Sequence, residues 1–185
     1  MMKMEREMSE EKLCFEPLSL ETAAGKLERA KSVLILFHIN PDGDAVGSAF
    51  ALRRSLAELG KRAWCVCASE VPERLWFAMK DQQGSAAVED IPEDFAQDMV
   101  VSVDTASPSQ LGELYEAYKG KVDLMIDHHA KGTLYADNYV VAGASSCGEV
   151  LCSVLDILFE RAKVKMPQRV CELVYTALSA DTGCF

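Results

Sequence analysis

VLILFHINPDGDAVGSAFALRRSLAELG, residues 33–60, changes its periodicity twice. VLILFH (33–38) is an unbroken apolar run with β-branched residues, the pattern of a strand covered on both faces. NPDGD (40–44) follows, where Pro41, Gly43 and two aspartates supply turn chemistry. AVGSAFALRRSLAELG (45–60) returns to helical spacing and stops at Gly60, a glycine in the position that commonly follows a helix. The stretch therefore reads as strand, tight turn, helix.

The same alternation extends in both directions. SLETAAGKLERAK (19–31) predicts an amphipathic helix with Ser19 as N-cap. AWCVCA (63–68), DMVVSVD (98–104) and VDLMIDHH (122–129) read as further strands. PERLWFAMK (72–80), PSQLGELYEAYKG (108–120), SSCGEVLCSVLDILFERAK (145–163) and PQRVCELVYTALSADTG (167–183) read as helices, the first of them opened by Pro72. Strands separated by helices of this length need crossover connections. The expected fold is α/β, a doubly wound, mostly parallel sheet flanked by helices. Residues 1–17, charged and Met-rich, are expected to be a loose leader, and residues 18–185 one domain.

The bulk properties fit that reading and remove other classes. The 185 residues are 49% hydrophobic, enough for a packed core. A net charge of −10 opposes a broad basic surface gripping a long duplex, although bound divalent cations can invert the field locally. No apolar run approaches the roughly 20 residues needed to cross a bilayer, and MMKMEREMSEEKLCFEPLSL lacks the apolar core of a secretory signal. The expectation is a cytoplasmic protein without a membrane partner. Seven cysteines (14, 65, 67, 147, 152, 171 and 184), without CxxC spacing, read as reduced thiols, mostly in the core, rather than as a disulfide or zinc framework.

The polar residues of interest gather at strand ends. His38, Asp42 and Asp44 follow the first strand, Asp104 ends DMVVSVD, and Asp127, His128 and His129 end VDLMIDHH. Ligands of an open parallel sheet bind outside the carboxyl ends of its strands. Taken singly, each residue has an ordinary role. His38 could be a satisfied, partly buried histidine; Asp42 and Asp44 could be turn residues; Asp104 could cap a helix, as could Thr105, Ser107 or Ser109. Taken together, the crowded carboxylates would repel one another without a cation. Mixed carboxylate and imidazole ligands without thiolate suit Mn²⁺, with Mg²⁺, Co²⁺ or Zn²⁺ as substitutes. A pair of such ions can activate a water as nucleophile for phosphorus.

HINPDGDAVGS (38–48), VDTAS (103–107), IDHHA (126–130) and ADTGCF (180–185) resemble, in order and spacing, the four motifs of the DHH phosphoesterases. The resemblance runs from His38 to the end of the chain. It implies that His38 and Asp42 bind one metal ion, that Asp44, His128 and Asp181 bind a second, and that Asp104 bridges them. It further implies that His129 faces the substrate phosphate, that Asp127 orients His128, and that Gly43 and Gly47 let the backbone turn close to the metals. The residues so marked as catalytic are Asp104, Asp127 and His129. The PDGDA form of the first motif is less similar to the inorganic pyrophosphatases. VDTASPSQLG, ASSCGEV and YTALSADTGCF are most similar to the RecJ-like branch that degrades very short oligoribonucleotides and dephosphorylates pAp, which is distinct from the RecJ exonuclease itself. Ser145 and Ser146 are read there as a helix cap.

The chain departs from that branch in two places. It reads AKGTLY (130–135) where the branch carries a Ser-Asn pair. It also ends at Phe185, whereas family members continue into a second, substrate-gripping domain, so a truncated chain with weak turnover is expected. The resemblance implies a short nucleotide substrate and accommodates a homodimer. Two other readings compete: a nucleotide- or metal-binding module without turnover, favoured if the gene stops at Phe185, and a single-strand DNA exonuclease of RecJ type. The acidic balance and the lack of an aromatic, basic groove weigh against the last.

Overall fold

The central strand segments pair in one parallel sheet because each is apolar enough to be covered on both sides. In the computed structural model, which describes residues 15–184, the strands are β1 (Ser32–Leu36), β2 (Arg62–Val66), β3 (Met99–Val103), β4 (Leu124–Asp127) and β5 (Asn138–Val140). Their order is β2-β1-β3-β4-β5 and every pairing is parallel. Every residue of β1, β3 and β4 is buried, which accounts for their unbroken apolar runs. The helices are α1 (Leu20–Arg29), α2 (Gly43–Glu58), α3 (Glu113–Tyr118), α4 (Cys147–Ala162) and α5 (Gln168–Asp181). The doubly wound α/β expectation holds.

Alternating side chains of the sheet feed two cores. Val33, Ile35, Val101, Val103 and Ile126 pack beneath α1, α2, α4 and α5 with Leu27, Phe50, Leu155 and Leu173. Leu34, Leu36, Val100 and Met125 face a thinner layer containing Phe95, Leu111, Leu114 and Tyr135. Each fully buried large side chain contributes roughly 1.5–3 kcal/mol of hydrophobic stabilisation. The chain runs from β1 to β2 on one side and then crosses to β3 on the other. The carboxyl ends of β1 and β3 therefore form the switch point of the sheet, where an open α/β fold leaves a crevice.

Several local expectations change. Residues 73–82 form a 3₁₀ run, Glu73–Gln82, instead of an α-helix. Gln82 anchors it, because its side chain accepts from Cys65 N at 2.8 Å and donates to the Cys65 and Ser85 carbonyls, covering the outer edge of β2. The helix expected over 108–120 breaks at Gly112, whose φ of 59° suits glycine and whose missing Cβ would stand 2.6 Å from the Ile39 side chain. A 3₁₀ turn, Pro108–Leu111, precedes the break and α3 follows it. Strand β5 was not anticipated; three residues carry no readable period. It is flanked by Glu16 and Leu18, which bond to the Asn138 backbone, so the described end of the leader lies along the sheet edge. Residues 1–14 of that leader lie outside the described residues. Cys65, Cys67 and Cys147 are buried as expected, whereas Cys171 and Cys184 are exposed on or beyond α5.

Gly47 does something other than turn the backbone. It lies inside α2, and a Cβ there would stand 2.7 Å from Leu173 O and 2.8 Å from Ala177 N. Gly43 and Gly148 meet Ala180 and Ala177 as closely. These contacts let α5 press onto α2 and α4, which sets the position of Asp181 at its end. Gly47→Val meets backbone that cannot yield without moving α5. It is expected to cost about 1–3 kcal/mol in urea denaturation and to weaken divalent-cation binding. Unchanged stability and unchanged cation affinity would contradict this account of the crossing.

Candidate metal centre

The turn after β1 delivers three groups at once. His38 follows the strand, and its carbonyl accepts from the Cys67 thiol at 3.2 Å. Asp42 is the N-cap of α2, its Oδ1 accepting from Asp44 N and Ala45 N, both at 3.0 Å. Asp44 is fully buried, and its carboxylate accepts from Cys147 N at 2.6 Å, Gly148 N at 2.9 Å and the Ser48 hydroxyl at 3.0 Å. The first two donors belong to the N-terminus of α4, which favours a negative charge. Ser146 caps that helix by accepting from Glu149 N, the role expected for the serine pair.

The neighbouring strands supply the rest. Asp104 sits just beyond β3, 3% exposed, with a φ of +51°; aspartate tolerates this left-handed conformation better than most residues. Asp127 ends β4, followed by His128 and His129, and Asp181 ends α5. Asp104 stands between the two histidine-bearing sides. Its Oδ2 is 3.5 Å from His38 Nε2, and its Oδ1 is 3.7 Å from His128 Nε2. His38 Nε2 is also 3.7 Å from Asp42, while His128 Nε2 is 3.7 Å from Asp44 and 3.2 Å from Asp181.

Three overlapping groups present ligand atoms within 4.8 Å of one another: His38, Asp42 and Asp104; Asp44, His128 and Asp181; and Asp104, Asp127, His128 and His129. All eight residues singled out in the sequence therefore meet at one rim. Asp104 Oδ1 and His128 Nε2 are buried without a hydrogen-bond partner among the described residues. Unsatisfied buried acceptors facing each other across a few ångströms fit a cation between them. The donor set, oxygen and imidazole nitrogen without sulfur, fits Mn²⁺, Mg²⁺, Co²⁺ or Zn²⁺.

One expected contact is different. Asp127 does not orient His128; its Oδ1 pairs with His129 Nδ1 at 2.8 Å. His128 Nδ1 instead faces the Ala144 carbonyl at 3.3 Å. Both histidines lie beyond the end of β4, and their rings stand 4.5 Å apart on the same side as Asp104. Sequence reasoning also missed the α4 N-terminus beneath Asp44, and Asn40 and Gln110, which join His38, Asp42, Asp104, His129 and Asp181 around a pocket of about 260 Å³. Only Gly148 hinted at the first of these, as a small residue beside a capping serine.

The electrostatics show the strain of crowding. Burial, then the Asp104 charge, pushes Asp44 up to about 8 against the pull of its backbone donors. Burial and the neighbouring Asp104 and Asp42 also raise Asp181. Burial disfavours the charged His38, but the Asp104 and Asp42 carboxylates, as acceptors facing its Nε2, outweigh it and bring it to about 9. Burial opposes ionisation of Asp42 as well, yet His38 and Ala45 N hold it below the ordinary range. His129 is raised in spite of its burial, chiefly by Asp127.

These shifts predict how the metal-free protein responds to pH. Groups whose folded pKa lies above the unfolded value contribute stability that is lost as pH rises. For Asp44 that window runs from 3.8 to about 8, and for His38 from 6.5 to about 9. The depressed Asp42 acts only below 3.8. The melting temperature of chelator-treated protein is therefore expected to fall from pH 5 to pH 9, and Mn²⁺ to reverse the trend while releasing protons. A flat profile unaffected by Mn²⁺ would count against a cation-binding role for the cluster.

With this geometry in view, the family is clear. The sequence matches the DHH family, N-terminal domain, over residues 32–178, and the chain belongs to that family. Its relatives are of the nanoRNase and RecJ-like type of DHH phosphoesterase. The chain is 30% identical over 155 residues to the bifunctional oligoribonuclease and PAP phosphatase NrnA of Thermus thermophilus, covering 83% of this chain and 44% of that protein. An exopolyphosphatase-related protein from Bacteroides fragilis has the same fold, with a TM-score of 0.78 at 21% identity over 90% of this chain and 50% of that one. An exonuclease RecJ bound to manganese superposes with a TM-score of 0.54 at 26% identity, over 91% of this chain and 45% of that one. The chain spans about half the length of the curated relatives it matches. No helix among the described residues is long and apolar enough to cross a membrane.

Proposed function

We propose that the chain carries a dinuclear metal site for hydrolysis of phosphate esters in short oligoribonucleotides or pAp. The observation that carries this reading is the meeting of two ligand triads at one buried carboxylate, Asp104. His38, Asp42 and Asp104 would hold one divalent cation; Asp44, His128 and Asp181 would hold the other, with Asp104 shared. Bound cations of this kind polarise a phosphoryl oxygen and lower the pKa of a water for attack on phosphorus. The α4 N-terminus keeps the Asp44 carboxylate aimed inward, and the Ala144 carbonyl fixes the ring of His128. His129, its side chain 41% exposed, is pinned by Asp127 through Nδ1, which leaves Nε2 free to meet a substrate phosphate in the pocket. In the metal-free protein the Asp127 carboxylate raises the pKa of that ring.

Manganese is the preferred metal, supported by the ligand set and by the manganese-bound RecJ relative. The substrate class is supported by the relatives named as oligoribonuclease and PAP phosphatase. The RecJ likeness supports a second reading, exonuclease action on single-stranded DNA. A panel of pAp, diribonucleotide, longer RNA, single-stranded DNA and pyrophosphate, assayed with Mn²⁺ on this chain and on any longer product of its gene, separates the two. The proposal expects turnover of pAp or diribonucleotide that chelation abolishes. Turnover insensitive to chelation, or confined to pyrophosphate, would refute it.

A further inference from the structure

Helices α4 and α5 follow one another, joined by residues 163–167, and the start of α4 meets the latter half of α5. They therefore run antiparallel. A Cβ on Gly148 would stand 2.4 Å from Ala177 Cβ and 3.4 Å from the Val174 carbonyl. Residues three or four apart share a face of a helix. One turn on from Gly148 in α4 lies Cys152, and one turn back from Val174 in α5 lies Cys171. Stepping away from one contact in opposite chain directions along antiparallel helices keeps the two positions level. The other flank of α5 belongs to α2, where Gly47 faces Leu173 O. Cys152 and Cys171 thus stand on the facing flanks of α4 and α5.

Two further features make them a pair. The missing side chain of Gly148 brings the two backbones together, as the short Cα separation of a disulfide, roughly 4.4–6.8 Å, requires. Burial raises the pKa of the Cys152 thiol, and charges on Asp156 and on Cys171 raise it further, so the two sulfurs sense one another across the groove. Cys152 is half-buried, whereas Cys171 is exposed. The remaining described cysteines are placed differently: Cys65, Cys67 and Cys147 are buried, and Cys184 lies past the far end of α5 beside Gly43 of α2.

We propose that Cys152 and Cys171 are a dithiol that a low-molecular-weight disulfide oxidises to a crosslink between α4 and α5. Cys171, the exposed member, attacks one sulfur of the small disulfide as its thiolate. A mixed disulfide forms, and the first small thiolate leaves and takes up the proton that Cys171 lost. Cys152 then gives up its own proton, attacks Cys171 Sγ and displaces the second small thiolate, which is protonated in turn. Two protein thiols become one disulfide while one small disulfide becomes two thiols, so atoms and electrons balance. The crosslink closes the loop from Cys152 to Cys171 and ties α5 to α4. The oxidised chain is expected to melt roughly 5–10 °C higher than the reduced one.

The test is incubation of the whole chain with oxidised glutathione under native conditions, then alkylation and cleavage after glutamate without reduction. Cuts after Glu149, Glu160 and Glu172 place Cys152 in peptide 150–160 and Cys171 in peptide 161–172. Mass spectrometry is expected to find these two peptides joined, two hydrogens lighter than their sum and separated by a reductant, in protein that remains monomeric. Cys152→Ser is expected to stop at a stable glutathione adduct on Cys171. Cys171→Ser is expected to leave Cys152 a free thiol, and Cys184→Ser to form the crosslink as wild type does. Absence of the joined peptides from wild type, a crosslink between chains, or an adduct that persists on wild-type Cys171 would overturn the proposal. The decisive reading is made on wild type, and it is independent of whether the rim of the sheet binds metal.

Discussion

Asp104→Ala is expected to empty both halves of the site and to lower Mn²⁺-dependent turnover by at least ~10³-fold, the equivalent of several kcal/mol of transition-state stabilisation. Among the described residues, Asp104 is the carboxylate that lies within 4 Å of both His38 and His128, at 3.5 Å and 3.7 Å. Its backbone, at a φ of +51°, gives a way to separate ligand from scaffold. Asp104→Gly accepts that conformation without strain but brings no carboxylate, so it should lose metal as completely as Asp104→Ala. It should also melt no lower than the metal-free wild type, because the repulsion that raises Asp44 and Asp181 is relieved. Metal content by elemental analysis, with melting curves beside it, checks both variants. Retained metal in Asp104→Gly would remove Asp104 from the centre.

His129→Ala is expected to keep both metals and still lose roughly 10²–10⁴-fold in turnover, the range for a positioned proton donor. Its Nδ1 is taken by Asp127 at 2.8 Å, and its side chain reaches the same pocket as Asp42 and Asp181. Asp127→Asn should give a smaller loss, because an amide can turn its NH₂ toward Nδ1 and favour the wrong tautomer. Loss of metal in His129→Ala would overturn the division of labour between the two adjacent histidines.

Much of the sheet and all eight polar residues were legible in the sequence for one reason. A parallel strand buried on both faces is an apolar run, so the polar residues that interrupt it mark its carboxyl end and the site at once. VLILFH before His38 and VDLMID before His128 both work this way. What stayed hidden depends on partners distant in the chain. The Asp44 carboxylate is held by Cys147 and Gly148 more than a hundred residues later, and no local pattern announces it. Gly47 looked like an aid to a turn, although its absent side chain admits α5 and thereby Asp181. Asp127 was assigned to the other histidine because the backbone beyond β4, which decides its partner, carries no readable period. The 3₁₀ run Glu73–Gln82 has helical composition, and its geometry is tied to the hold of Gln82 on β2.

The central claim is that two cations share Asp104. Anomalous diffraction at the manganese edge from Mn²⁺-soaked crystals measures it directly. The account predicts two peaks about 3.5–4 Å apart, one within bonding distance of His38 and Asp42, the other of Asp44, His128 and Asp181, with Asp104 touching both. A single peak, or peaks away from these residues, would contradict it.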